Sequence, residues 1–269
     1  MGGIIISNLD ICVLASGSSG NAIYVASNEK KLLIDAGLSG KEVNKRLKKI
    51  NSGVDEIDAI LLTHEHGDHI QGAGVISRRC NVPIYASQGT WQGAKDKLGK
   101  ITPANKNTIN KEDLILGDLK ITPFSISHDA KQPFGYSIYH QDCKLAIATD
   151  TGELTTEVKE AIQGAEFVVL ESNHDLEMLK IGPYPWSLKK RVMSDEGHLS
   201  NDDAGAAVVD LVKNSTKKIL LAHLSQDNNI PELAYLTIKN MLADAGMEIE
   251  KDVQLDFACQ DQVSKLYQI

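Results

Sequence analysis

Apolar residues in this sequence gather into short runs that stop at a turn residue or at a histidine or carboxylate, and few stretches show helical spacing. Ile11–Ala15, Ala22–Ala26, Lys31–Asp35 and Ala59–Thr63 read as strands separated by Gly- and Ser-containing turns. Between the last two, Lys41–Ile50 is charged around an apolar stripe and reads as an amphipathic helix. A second helix is expected to open at Asp68 or His69 and run through Arg79 into a strand at Val82–Ala86. Phe134–Tyr139 and Lys144–Thr149 read as a hairpin. Helices over Thr155–Gln163, Asn201–Lys213 and Pro231–Ala245 then alternate with strands over Phe167–Glu171, Lys218–Ala222 and Val253–Ala258. Two rounds of strands followed by helices predict an α/β sandwich, two sheets face to face with helices outside, with residues 1–269 forming one compact domain.

A chain of 269 residues, 42% hydrophobic and 24% charged, is long enough to bury a sizeable core. No apolar run approaches the ~20 residues that span a bilayer. Ile4-Ile5-Ile6 has no Lys or Arg before Lys30 and does not read as a signal peptide, while Ile6 breaks the myristoylation pattern that Met1-Gly2 would begin. A cytoplasmic protein without a membrane partner is expected. Cys12, Cys80, Cys143 and Cys259 form no Cys-x-x-Cys pair and stand outside the histidine runs, so reduced structural cysteines are expected rather than a thiolate zinc site. The net charge of −8 argues against a broad nucleic-acid grip. Arg78-Arg79, Lys189-Lys190-Arg191 and Lys217-Lys218 each read first as solvated surface.

One segment changes the picture. Thr63-His64-Glu65-His66-Gly67-Asp68-His69 follows the apolar run Ile60-Leu61-Leu62 and holds three of the chain's eight histidines. Imidazole nitrogen and carboxylate oxygen are ordinary donors to zinc, manganese and iron. The spacing does not fit one helix face, where ligands stand at i and i+4. It fits a strand-end loop, with His64 and His66 pointing one way and Asp68 and His69 turning toward a second point. His128, Asp150 and His223 each follow a further apolar run, at Leu119–Ser127, Lys144–Thr149 and Lys218–Ala222. Rigid strands delivering donors to one sheet edge would hold two metal ions well.

The series His-x-His-x-Asp-His, then His128, Asp150 and His223, together with Leu33-Ile34-Asp35-Ala36-Gly37, resembles the metallo-β-lactamase fold superfamily from about Ile11 to His223. The resemblance implies the αββα four-layer sandwich and two divalent ions, Mn2+ or Zn2+, with Fe also accommodated. It implies that His64, His66 and His128 hold one ion, Asp68, His69 and His223 the other, and that Asp150 bridges them. Asp35 is implied to steady the ligands from behind, and counts with Asp68 and His198 among the residues on which catalysis depends. Redox members carry a glutamate where this chain has His66, and many true β-lactamases use a cysteine that is absent here, so hydrolysis of another bond is favoured.

Nuclease members carry a turn similar to Gly197-His198-Leu199-Ser200, then a helix, then a motif similar to His223-Leu224-Ser225. In them the first histidine contacts the scissile phosphate, which makes His198 the candidate general acid. Ser200 or Asn201 would also cap the following helix. Only 21 residues separate His128 from Asp150, and 47 separate Asp150 from His198, too few for a tRNA-gripping arm or a large inserted domain. What remains is similar to the compact bacterial YycJ/WalJ group, whose features include Ala15–Asn21, Glu171–Asp175, Gly182–Trp186 and His223–Asn229. That group implies a 5′→3′ exonuclease on double-stranded DNA with a free 5′ end, a role in DNA repair, and a repair-protein partner. Lys189, Lys190 and Arg191 are the candidates for phosphate contacts. The rival readings are a thioester or lactone hydrolase of the glyoxalase-II type and a non-catalytic metal-binding regulatory protein. Neither explains the His198 turn.

Overall fold

The computed structural model describes residues 9–269; the readings at Met1-Gly2 and Ile4–Ile6 lie outside the described residues. Strands β1 (Asp10–Ala15), β2 (Ala22–Ala26) and β3 (Lys31–Ile34) pair antiparallel. The chain then adds neighbours laid parallel, β4 (Ala59–Leu61), β5 (Ile84–Ser87) and β6 (Lys106–Ile109). The second sheet repeats the scheme. An antiparallel meander of β7 (Leu114–Leu116), β8 (Leu119–Ser125), β9 (Phe134–His140) and β10 (Cys143–Ala148) leads into parallel β11 (Phe167–Glu171), β12 (Lys218–Ala222) and β13 (Gln254–Phe257). The last strand, β14 (Tyr267–Gln268), returns to pair with β1.

The central strands are apolar on both faces because both faces are covered. In β1, Ile11 and Val13 enter the core between the sheets, while Cys12 and Leu14 face the helices. On the second sheet, Leu145 and Ile147 look inward, and Ala146 and Ala148 pack with Val158, Val208 and Ile238 of the outer helices. The result is the four-layer α/β sandwich that the alternation of runs predicts, in the single domain expected from it. Among the described residues no helix is long and apolar enough to cross a membrane. All four cysteines are free.

The helix expected from Asp68 through Arg79 is two helices, Gly67–Ile70 and Ala73–Cys80. The break falls at Gly72, whose amide donates to Ala36 O at 2.8 Å. A Cβ there would meet Leu38 O at 2.3 Å, so only glycine lets the chain pass so close. The expected strands at Lys31–Asp35, Ala59–Thr63 and Lys144–Thr149 each stop short, at Ile34, Leu61 and Ala148. The lost residues turn away into the loops that carry the polar side chains. Strands β6 and β7 and the helices Gln88–Gly93, Leu176–Ile181 and Trp186–Val192 add to the elements read from the pattern; they are too short to show a period.

Candidate metal centre

Parallel strands share a C-terminal edge, and in both sheets that edge faces the same cleft. Asp35 follows β3, the His64–His69 loop follows β4, Asp150 follows β10, Glu171 ends β11 and His223 follows β12. Asp35, Asp150 and His223 have left-handed backbones, with φ of 62°, 59° and 57°. Such angles are uncommon outside glycine and are tolerated best by Asp, Asn and His. Each bends the chain abruptly off its strand instead of continuing the pleat, so Asp150 and His223 enter the cleft and Asp35 turns in behind Thr63 and His69. Gly37 lets the Asp68 loop close over this edge: a Cβ at Gly37 would lie 1.5 Å from Asp68 O.

The outer hydrogen bonds decide which ring nitrogens face inward. His69 Nδ1 donates to Asp35 Oδ2 at 2.7 Å, His223 Nδ1 to Glu171 Oε1 at 2.9 Å, and His128 Nδ1 to Gly197 O at 3.2 Å. Thr63 Oγ1 gives its proton to Asp35 Oδ2 at 2.8 Å and so accepts from His64 Nδ1 at 3.0 Å. Four histidines are thereby left with Nε2 free. His66 presents Nδ1 instead, 3.0 Å from His64 Nε2 and 3.3 Å from His128 Nε2. His69 Nε2 lies 3.6 Å from Asp68 Oδ2 and 3.4 Å from Asp150 Oδ2, and His223 Nε2 lies 3.3 Å from Asp150 Oδ1.

All seven residues expected as ligands therefore converge, His64 with His66 and His128, Asp68 with His69 and His223, and Asp150 between them. Asp150 Oδ2 and His223 Nε2 are buried yet have no hydrogen-bond partner. Buried polar atoms are rarely left so. Unpaired donors aimed at one point, all nitrogen and oxygen, suit a divalent cation.

The charges fit the same picture. Burial pushes His64 well below the ordinary histidine value and His128 below it. Burial also opposes charge on His69, but Asp150 and Asp35 hold it well above that value. Against the same burial, Asp150 and Glu171 raise His223 to about 9. Burial favours the neutral form of Asp150, and His223 and His69 overcome it and keep the carboxylate ionised. In the metal-free protein, the raised His223 lends stability that is full below about pH 6.5 and is lost as pH climbs through about 9, and the raised His69 acts in the same direction. Both must shed a proton before Nε2 can bind a metal. Calorimetry in buffers of different ionisation enthalpy should show on the order of two protons released on metal uptake at pH 7, fewer as pH passes about 9. Heats independent of the buffer would count against this arrangement.

His198 stands on the cleft wall, its ring centroid 5.2 Å from that of His128 and 5.1 Å from that of His223. Its Nδ1 bonds Glu171 Oε1 at 2.7 Å. Ser200 caps the next helix, accepting from Asp203 N at 3.1 Å, so the cap and the half-buried histidine on the cleft wall coexist in one turn. Glu171 is fully buried and touches both His198 and His223. Sequence reasoning gave it no role, although it ends an apolar run as Asp150 does. Asn21, 3.0 Å from His69 Nε2, and Asn173, which donates to His223 O at 2.8 Å, were also missed, since asparagine in a turn carries no distinctive signal. Of the three basic residues expected to meet phosphate, Lys189 is buried and donates to Lys180 O at 2.7 Å. Its ammonium is spent inside the protein. Arg191 lines the cleft and pairs with Asp129 Oδ2 at 2.5 Å, and Lys190 is exposed.

Asp35 touches no point where the donors meet, but fixes both Thr63 and His69. Asp35→Asn keeps the shape and the left-handed tolerance while losing the charge. It is expected to cost about 10–100-fold in activity or metal affinity, measured by turnover and metal content. A complete loss would make Asp35 a direct ligand.

Residues 30–224 match the family described as the beta-lactamase superfamily domain. The chain is 44% identical over 242 residues to exodeoxyribonuclease YycJ of Bacillus anthracis, covering 90% of this chain and 92% of the relative. It is 42% identical over 260 residues to exodeoxyribonuclease WalJ of Streptococcus pneumoniae, covering 96% and 97%. Among solved structures, the metallo-β-lactamase fold protein YhfI of Bacillus subtilis superposes with a TM-score of 0.72 at 15% identity, over 97% of this chain and 100% of that one. At that identity the likeness concerns the fold.

Proposed function

We propose, from the premise that this chain belongs to the beta-lactamase superfamily, that it is a metal-dependent phosphodiesterase, and more narrowly an exonuclease acting on duplex DNA from a free 5′ end. The observation that carries the reading is His198, held on Glu171 at 2.7 Å beside the converging donors, where a leaving oxygen would need a proton. The names of the two bacterial relatives support a DNA substrate.

In this reading His64, His66 and His128 hold one divalent ion, Asp68, His69 and His223 a second, with Asp150 shared. Mn2+ or Zn2+ suits nitrogen and oxygen donors without sulfur, and Fe is accommodated. Such ions polarise the phosphate and acidify water enough for hydrolysis near neutral pH. The protein's part is positional. Asp35, Thr63, Glu171 and Gly197 O fix the rings before substrate arrives, so little reorganisation remains at the reacting step. Glu171 holds His198 by Nδ1, and the remaining ring nitrogen Nε2 carries the proton to the departing 3′ oxygen. Burial alone would raise the Glu171 pKa, but His198 and His223 bring it below the usual glutamate range, which keeps it an acceptor. Arg191, exposed at the cleft, meets the phosphate backbone. A compact chain of net charge −8 makes few such contacts, so a repair-protein partner that delivers it to nicks or ends belongs to the proposal.

The test is a closed circular duplex compared with the same DNA linearised, with Mn2+ added. The linear form should be digested from its 5′ ends and the closed circle left intact. Rapid cutting of the circle would make the enzyme an endonuclease, and turnover of a thioester without any of DNA would favour a small-molecule hydrolase.

A further inference from the structure

The loop and helix that roof one side of the cleft carry an unusual surface. Ile181 is 84% exposed and Trp186 is 60% exposed, whereas Trp91 is 6% exposed in the core. Leaving a tryptophan mostly in water forfeits the burial that normally places it inside. Between them run Gly182-Pro183-Tyr184-Pro185, where two prolines limit the freedom of the backbone. Tyr184 lines the cleft, and its hydroxyl donates to Asp227 Oδ2 at 3.1 Å, pinning the loop to the segment after His223. Leu188 and Arg191, from the helix that Trp186 begins, line the cleft as well. Round that helix from them, the Lys190 ammonium stands 5.8 Å from the Trp186 ring and forms no ion pair among the described residues. On a chain of net charge −8, a solvent-exposed aromatic ring with a cation beside it, on the helix whose Leu188 and Arg191 line the cleft, is a ready contact for a nucleic-acid end.

We infer that this ridge seats the end of a DNA duplex, with Trp186 stacked on the terminal base pair and Lys190 on the neighbouring backbone phosphate. This rests on the nuclease reading and deepens it by naming what holds the substrate end. An aromatic ring stacks on any base, and a cation beside it meets the phosphate that every nucleotide carries. The seat is therefore indifferent to sequence, as repeated removal of nucleotides requires. It also needs an end: inside a duplex no base-pair face is open to the ring.

The experiment uses the metal-loaded enzyme with a blunt oligonucleotide duplex and, separately, bis-p-nitrophenyl phosphate. Trp186→Ala should raise KM for the duplex roughly 5- to 150-fold, leave turnover of bis-p-nitrophenyl phosphate unchanged, and be largely rescued by Trp186→Tyr. In the unaltered enzyme, a phosphorothioate duplex that resists cleavage should quench the emission of exposed Trp186 while that of buried Trp91 persists. A Trp186→Ala enzyme that digests the duplex like the unaltered protein, or an unquenched Trp186, overturns the inference while leaving the nuclease reading in place. If the unaltered enzyme hydrolyses bis-p-nitrophenyl phosphate but no DNA, the nuclease reading fails first and takes the inference with it.

Discussion

Asp150→Asn is expected to abolish hydrolysis of DNA and of bis-p-nitrophenyl phosphate alike while leaving the circular dichroism spectrum in place. The carboxylate is 2% exposed and lies within 3.4 Å of His69 Nε2 and 3.3 Å of His223 Nε2, at the centre of the donor set. The amide fills the same volume and tolerates the left-handed φ of 59°. What disappears is the negative charge that both donor clusters share. The loss should exceed the roughly 10–100-fold typical of an outer partner, and metal content should fall with it. Asp150→Ala should be equally inactive and also less stable, because a left-handed alanine costs about 1–2 kcal/mol. An Asp150→Asn enzyme that retains a tenth of its activity would remove Asp150 from the shared position.

Substitution of His198 should separate chemistry from metal binding. His198→Ala is expected to lower turnover on DNA by roughly 10²–10⁴-fold, the range for a positioned general acid, with both metal content and KM nearly unchanged. The deficit should shrink on bis-p-nitrophenyl phosphate, whose leaving group departs without a proton. Glu171→Gln should reproduce part of this loss, since Glu171 holds His198 Nδ1 at 2.7 Å, but it should also disturb His223 at 2.9 Å. An unchanged rate of DNA digestion by His198→Ala would leave the turn with only its helix-capping role.

The strands and the inward donors were legible because a strand buried on both faces is a continuous apolar run, and each run stops where the backbone bends. His64, Asp150 and His223 stand at such stops, and so does Glu171. Glu171 was seen only as part of a similar motif and given no role, because its partners His198, His223 and the Thr151 amide lie far from it in sequence. Gly72 was invisible for a related reason: the approach of Leu38 O that forbids a Cβ there involves residues distant in sequence. The run of Lys189, Lys190 and Arg191 looked uniform in sequence, yet the helix turns one residue inward, one to the cleft and one to solvent. Position along a chain does not distinguish these until the helix is packed.

Because β14 closes the edge of the first sheet against β1, β1 leaves the ribosome long before the strand that pairs with it. Val13 N is capped by Ser264 Oγ across 251 positions, and Leu9 N donates to Ile269 O at 2.9 Å. At about 5–20 residues per second of synthesis, the outer edge of β1 stays bare for roughly 13 to 50 s. An uncovered apolar edge is a template for pairing with another chain. The growing polypeptide is thus most prone to aggregate before β14 emerges, and loss of β14 would prolong that exposure for the life of the molecule.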